Sequence, residues 1–360
     1  MSWLKRILVG SLVAIAISIV GCASDTSTPP TQAEPAPTKA AVTAPVSEPI
    51  TKLLSLSNDS PHLTVVDADT HAILETRDLA EFTKWAWNDD NNYFDGKNVW
   101  LGLKYPEPDD AVVIALDLAT LEVKSRISVG KEAKNIYIGK ATSSGLLHIG
   151  KQASGQVVVI DTTTAAVVGT FDMPVNDGVV CDADIGIGPD GIERFYYPTL
   201  TGDTVVVADA GTLEVIRIVE TPDGAKPVMH TNAPDGRMWV QESGSNTNAV
   251  FDPITLDLIK RFPAGKGPVV GTFSPDGTYA YIGHYGDPIV QVVNTATLQE
   301  VARITVGTTP TKIAVHPNGK YIYAIASKEA SLVVIDTESW KATIRIPVEV
   351  NPTGFFLWQE

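Results

Sequence analysis

Between residues 266 and 350 the chain runs twice through one unit. Each pass holds an apolar run, a Pro-Asp-Gly or Pro-Asn-Gly turn (275–277, 317–319) and a Tyr-x-Tyr strand. A polar loop follows, then a Val/Ile-rich strand ending at Asn294 or Asp336, a turn, and a closing alternating strand. Pro-x-Gly between β-branched and aromatic runs is hairpin chemistry, because proline presets φ and glycine accepts the left-handed turn. A four-stranded antiparallel unit recurring about every 40 to 45 residues is the mark of a propeller blade.

The rest of the chain is phased by the end of the third strand, where an apolar run meets Asp or Asn and a Thr or Ser follows three residues later. This occurs at Asp67, Asp117, Asp161, Asp209, Asp252, Asn294 and Asp336, at intervals of 50, 44, 48, 43, 42 and 42 residues. That makes seven units. The side-chain oxygen is expected to accept backbone N–H groups of the turn, so these residues read as structural. The segment before Asp67 supplies only the outer strands of a blade. The C-terminal 351–360, NPTGFFLWQE, matches the first strand of the preceding unit, TPTKIAVHP. The expected fold is therefore all-β, a seven-bladed β-propeller over 51–360, closed by the C-terminal strand joining the N-terminal blade. Closure removes the bare sheet edges that invite aggregation, and a monomer is expected.

Residues 1–21 carry Lys5 and Arg6 ahead of an apolar run, 7–20, that is short for a bilayer span. The run ends Ile19-Val20-Gly21-Cys22, which resembles the bacterial lipobox. The resemblance implies cleavage before Cys22, acylation of Cys22, and an exported protein held to the cell-envelope membrane through that lipid, at an outer membrane where one exists. Residues 22–50 have six prolines and no aromatic side chain, a composition that cannot bury a core and suits an extended tether. The formal net charge is -15, and losing Lys5 and Arg6 with the leader makes it -17. Such a surface repels phosphate backbones, so nucleic acid is not an expected partner. With Cys22 acylated, Cys181 has no intramolecular disulfide partner; it is expected within an apolar strand, VVCDADIGI, as a small buried hydrophobe.

The units FSPDGTYAYIGHYG and VHPNGKYIYAIAS resemble the YVTN-type seven-bladed propellers of bacterial and archaeal envelopes. Tyr281-Ile282-Gly283-His284 and Tyr323-Ala324-Ile325-Ala326 stand where those proteins carry their name-giving tetrapeptide. The same superfamily is similar to the haem-binding propeller of cytochrome-type nitrite reductase and includes surface-layer and adhesion proteins. The resemblance implies fold and location, and leaves the ligand open.

In a propeller the first strand of each blade lines the axial channel. Aligning on the Pro-x-Gly turns places 182–188, 227–233, 268–274, 310–316 and 352–358 there, with 84–90 in blade two. Asp182 and Asp184, spaced i, i+2, share one face of a strand. Two neighbouring carboxylates call for a cation, and His230 of the next blade and Lys312 of blade seven are within reach of that reading. Asp182, Asp184 and His230 are thus weak candidates for a divalent metal, and His230 for a haem axial ligand. No cofactor is expected outright, and without a C-x-x-C-H run a covalent haem is excluded. Trp85 and Trp87 alternate on one strand and face the same way, either to pack between blades or to form an aromatic platform at the channel mouth for a sugar or a cation. The runs 105–110 and 243–248 read as long loops suited to a partner. No G-x-S-x-G, Walker or H-E-x-x-H pattern is present. No catalytic residue is therefore assigned. The chain reads as a binding or scaffold module for a protein or small ligand, with a haem-related or metal-dependent enzyme as the alternative.

Overall fold

The computed structural model describes residues 50–57, 62–79, 93–104, 111–130, 136–152, 154–174 and 179–359. The span Glu48–Glu360 is one compact unit. The leader, Cys22 and nearly all of the tether lie outside the described residues, as do Trp85, Trp87 and the loop 105–110.

Twenty-eight described strands form seven four-stranded antiparallel sheets. The inner strands are, from blade one to blade seven, Pro352–Gln359, Tyr93–Phe94, Ile136–Ala141, Asp184–Ile187, Pro227–Asn232, Pro268–Phe273 and Ile313–Val315. The described inner strand of blade two is thus Tyr93–Phe94, a few residues beyond the 84–90 expected from sequence. Pro352–Gln359 pairs antiparallel with Thr51–Ser57, from Thr51 opposite Gln359 to Ser57 opposite Pro352. The ring is closed by the chain's two ends, as expected.

Buried hydrophobic side chains form seven clusters, each between adjacent blades rather than at a common centre. This follows from the strand patterns. The third strand of a blade is buried on both faces, as in Gln156–Asp161 and Ser331–Asp336, because a neighbouring blade covers each side. The fourth strand is mostly exposed and carries charge, as in Lys341–Pro347, which guards the outer edge.

All seven turn residues do what their spacing implied. Asp67 Oδ1, for example, accepts the N–H groups of Asp69 and Thr70 at 2.9 Å each. The same pair of contacts recurs at Asp117, Asp161, Asp209, Asp252 and Asn294, and Asp336 accepts from Ser339. One expectation is corrected: 243–248 is no long insertion. The strands Met238–Glu242 and Thr247–Phe251 are joined by a four-residue turn in which Asn246 takes a left-handed φ of 57°. Its polarity reflects turn chemistry rather than loop length.

Candidate functional site

The inner strands of blades three, four, five, six, seven and one wall a cavity of about 310 Å³ in the channel. Asp182, Asp184, His230 and Lys312, four of the candidates read from sequence, all line it. Trp85 and Trp87 fall outside the described residues.

Asp182 precedes the inner strand of blade four and is turned toward blade five. Its Oδ2 accepts the backbone N–H of His230 at 3.1 Å and lies 3.0 Å from His230 Nδ1, while Oδ1 accepts the N–H of Ala183 at 2.8 Å. The far ring nitrogen, Nε2, lies 3.3 Å from Asn232 Nδ2. A carboxylate only accepts and an amide nitrogen only donates, so this chain fixes the tautomer with the proton on Nδ1. The imidazole side chain is 0% exposed and packs on Tyr196 at 4.5 Å between ring centroids. Burial pushes the Tyr196 phenol up to about 12.

Asn232 holds its place because blade four gives way to it. A Cβ on Gly186 would fall 2.1 Å from Asn232 Nδ2, so only glycine leaves room for the amide that engages His230. The sequence does not single out Asn232, a polar residue two positions ahead of the Pro234-Asp235-Gly236 turn.

Asp184 turns the other way, toward blade three. Its Oδ1 accepts the backbone N–H groups of Ile185 at 2.8 Å and Lys140 at 3.1 Å, and its Oδ2 lies 3.2 Å from Lys140 Nζ. Burial alone would raise this carboxyl, but the Lys140 ammonium and the two N–H groups outweigh it and hold the carboxyl below its ordinary value. Reciprocally, the Asp184 charge raises Lys140 above the usual lysine range against the cost of its burial within the ring. Even so, 60% of the Lys140 side-chain surface faces channel water. An ammonium has three donors, and one direction is taken by Asp184. Lys140 is therefore the countercharge to Asp184. Lys312, proposed for that role, lies 3% exposed in the wall of the same cavity.

This divergence explains why the two aspartates and His230 do not converge as metal ligands: one carboxylate is spent on the imidazole, the other on an ammonium. Among the described residues no group of three His, Cys, Asp or Glu side chains is placed to hold a metal ion. A haem iron would need a bare imidazole nitrogen, and both nitrogens of His230 are engaged.

A second cavity, also about 310 Å³, is mainly apolar and is lined by Cys181, Met229, Val269 and Tyr285 among others. Cys181 is half-buried there, ahead of the inner strand that begins at Asp184, not within a strand as expected.

Against solved structures the whole propeller finds likenesses. A protein of Bacteroides fragilis provisionally described as a 6-phosphogluconolactonase is 16% identical, with a TM-score of 0.69 over 88% of this chain and 99% of its own. The periplasmic gluconolactonase PpgL of Pseudomonas aeruginosa is 18% identical, with a TM-score of 0.69 over 86% and 99%. The dihydro-haem d1 dehydrogenase NirN is 13% identical, with a TM-score of 0.62 over 85% and 74%. The shared feature is the seven-bladed propeller. No protein-family model and no curated protein matches the chain.

Proposed function

We propose that this protein is an exported, lipid-anchored propeller that binds a small, acceptor-rich ligand, a carboxylate or polyhydroxyl compound, in its channel. The observation that carries the reading is the wall of the polar cavity. Each oxygen of both aspartates accepts from at least one protein donor, while the ammonium of Lys140 carries further N–H groups on a side chain 60% exposed in the channel. Surplus donors in a confined, partly desolvated space favour a ligand rich in oxygen. The lipobox at 19–22 supports anchoring through Cys22, and the periplasmic neighbour PpgL is in keeping with export.

A second reading is hydrolysis of a lactone, favoured by the Asp182–His230 pair and by the lactonase names of two neighbours. A histidine base needs Nε2 within reach of water, and Asn232 occupies it. That contact favours binding over turnover.

The test is ligand-dependent melting with gluconate as probe. Ligand at one hundred times its dissociation constant adds about 2.7 kcal/mol of stability. The melting temperature is expected to rise with gluconate, and the rise to vanish in Lys140→Met. An unchanged melt across millimolar gluconate, or a rise that survives in Lys140→Met, refutes the channel site. Anchoring is checked separately by metabolic labelling with radioactive palmitate, which Cys22→Ser should abolish.

A further inference from the structure

The two cavities are not independent features of the ring. On five inner strands the lining passes from the apolar cavity to the polar one between consecutive residues. On blade four Cys181 lines the apolar cavity and Asp182 the polar one; on blade five the pair is Met229 and His230; on blade seven it is Thr311 and Lys312. Blades three and six repeat the step. A strand advances about 3.3 Å per residue, so the two compartments adjoin along one axis. The apolar one opens at the rim where Tyr285 is 61% exposed. The polar one, deeper in the strands, holds the Lys140 ammonium.

We infer that the channel recognises an amphiphile: an anionic head at Lys140 and a short apolar tail in the compartment of Met229, Val269 and Cys181. This rests on the channel-binding reading above and adds the tail. The sign of the head follows from the donors that remain. Every oxygen of the Asp182 and Asp184 carboxylates already accepts from a protein donor, so a cationic head would have to share them, whereas an anion meets Lys140. The tail follows from the lining, since burying apolar surface against valine and methionine is the one gain that compartment offers. An apolar pocket with a few convergent polar groups is the usual form of a small-molecule site.

The probe is the n-alkyl carboxylate series from acetate to octanoate, with the matching alkylammonium ions as controls. The protein is the full chain carrying Cys22→Ser, so that no detergent competes. Dissociation constants come from ligand-dependent melting, and the site is located by protection of Cys181 from iodoacetamide. Affinity is expected to rise about fourfold per methylene, the equivalent of about 0.8 kcal/mol, until the compartment is full. Lys140→Met should weaken every member alike and leave the chain-length slope intact. Met229→Trp should flatten the slope and spare acetate. A flat series with Lys140-dependent binding of gluconate or acetate overturns the amphiphile and keeps the channel site. Equal binding of the alkylammonium ions overturns the anionic head. If no carboxylate or gluconate binds, both readings fall together.

Discussion

At the scale of single residues, the most testable consequence of burial lies in two histidines away from the cavity. His284 sits in the wall of blade six, with Nε2 accepting the N–H of Gly265 at 3.0 Å and Nδ1 placed 3.2 Å from the carbonyl of Ile289. His148 stacks on Phe195 at 5.1 Å, and neither of its ring nitrogens makes a well-formed hydrogen bond. Burial lowers both to about 4 from an ordinary 6.5. The unfolded chain therefore takes up these protons first. Their contribution is fully present above pH 6.5 and is lost as pH falls toward 4, roughly 3 kcal/mol for each group. Stability from urea melts is expected to fall between pH 7 and 4.5, and at the steepest point, near pH 5, the two histidines together contribute just under about two protons to the slope. His148→Leu should remove about one proton from that slope; an unaltered slope would show that His148 is charged in the fold. The site itself was only partly legible at this scale. Asp182, Asp184 and His230 could be placed because a Pro-x-Gly turn follows each strand. Lys140 was missed because blade three uses Ser143-Ser144-Gly145 instead. That turn performs the same task, with Gly145 at φ 85° and its N–H bonded to the carbonyl of Thr142 at 2.9 Å.

At the scale of the element, every third-to-fourth strand turn has a property that the Asp-x-x-Thr spacing does not announce. The residue four beyond the Asp or Asn is left-handed in all seven blades: His71, Leu121, Ala165, Leu213, Leu256, Leu298 and Trp340, with φ from 53° to 64°. A register shift follows in each paired strand, as between Val207 and Ala208. Sequence alone hides this, because the usual flag for such a turn is glycine and none of the seven is glycine. Four are leucines buried in the seams between blades, where apolar burial outweighs a left-handed cost of about 1 kcal/mol. Two substitutions separate the terms. Ala165→Gly relieves the backbone and sacrifices little packing, so it should raise stability by about 1 kcal/mol. Leu256→Gly relieves the same backbone but empties a site 2% exposed between blades four and five. It should cost about 2 to 3 kcal/mol net. Denaturant midpoints decide the matter, and a stabilised Leu256→Gly would mean that strain, not packing, governs these turns.

At the scale of the whole molecule, the absence of a central core makes closure decisive. Each blade is held by its two seams, so the ring is as secure as its last joint, and that joint was readable because the tail repeats the first strand of a blade. Two features reinforce it: the Tyr323 hydroxyl bonds to the carbonyl of Ala68, and His316 Nε2 lies 3.2 Å from Asp69 Oδ1 across blades seven and one. These two contacts do not involve the tail, and the apolar seam of Leu53, Val66 and Ile325 meets it only through the partly buried Leu357. Deleting 352–360 would therefore leave blade one attached to blade seven yet strip its inner strand. The seven paired residues Thr51–Ser57 would be bared toward the channel, and Trp358 would leave the seam with blade two. Unpaired edge and lost seam together predict a protein that aggregates or melts without cooperativity. Trp358→Ala keeps the strand and loses only the side chain, so it should stay soluble and melt cooperatively at a cost of about 3 to 5 kcal/mol. Calorimetry on the pair separates pairing from packing. If the truncated chain melts as sharply as Trp358→Ala, side-chain packing holds the ring and the returning strand is dispensable.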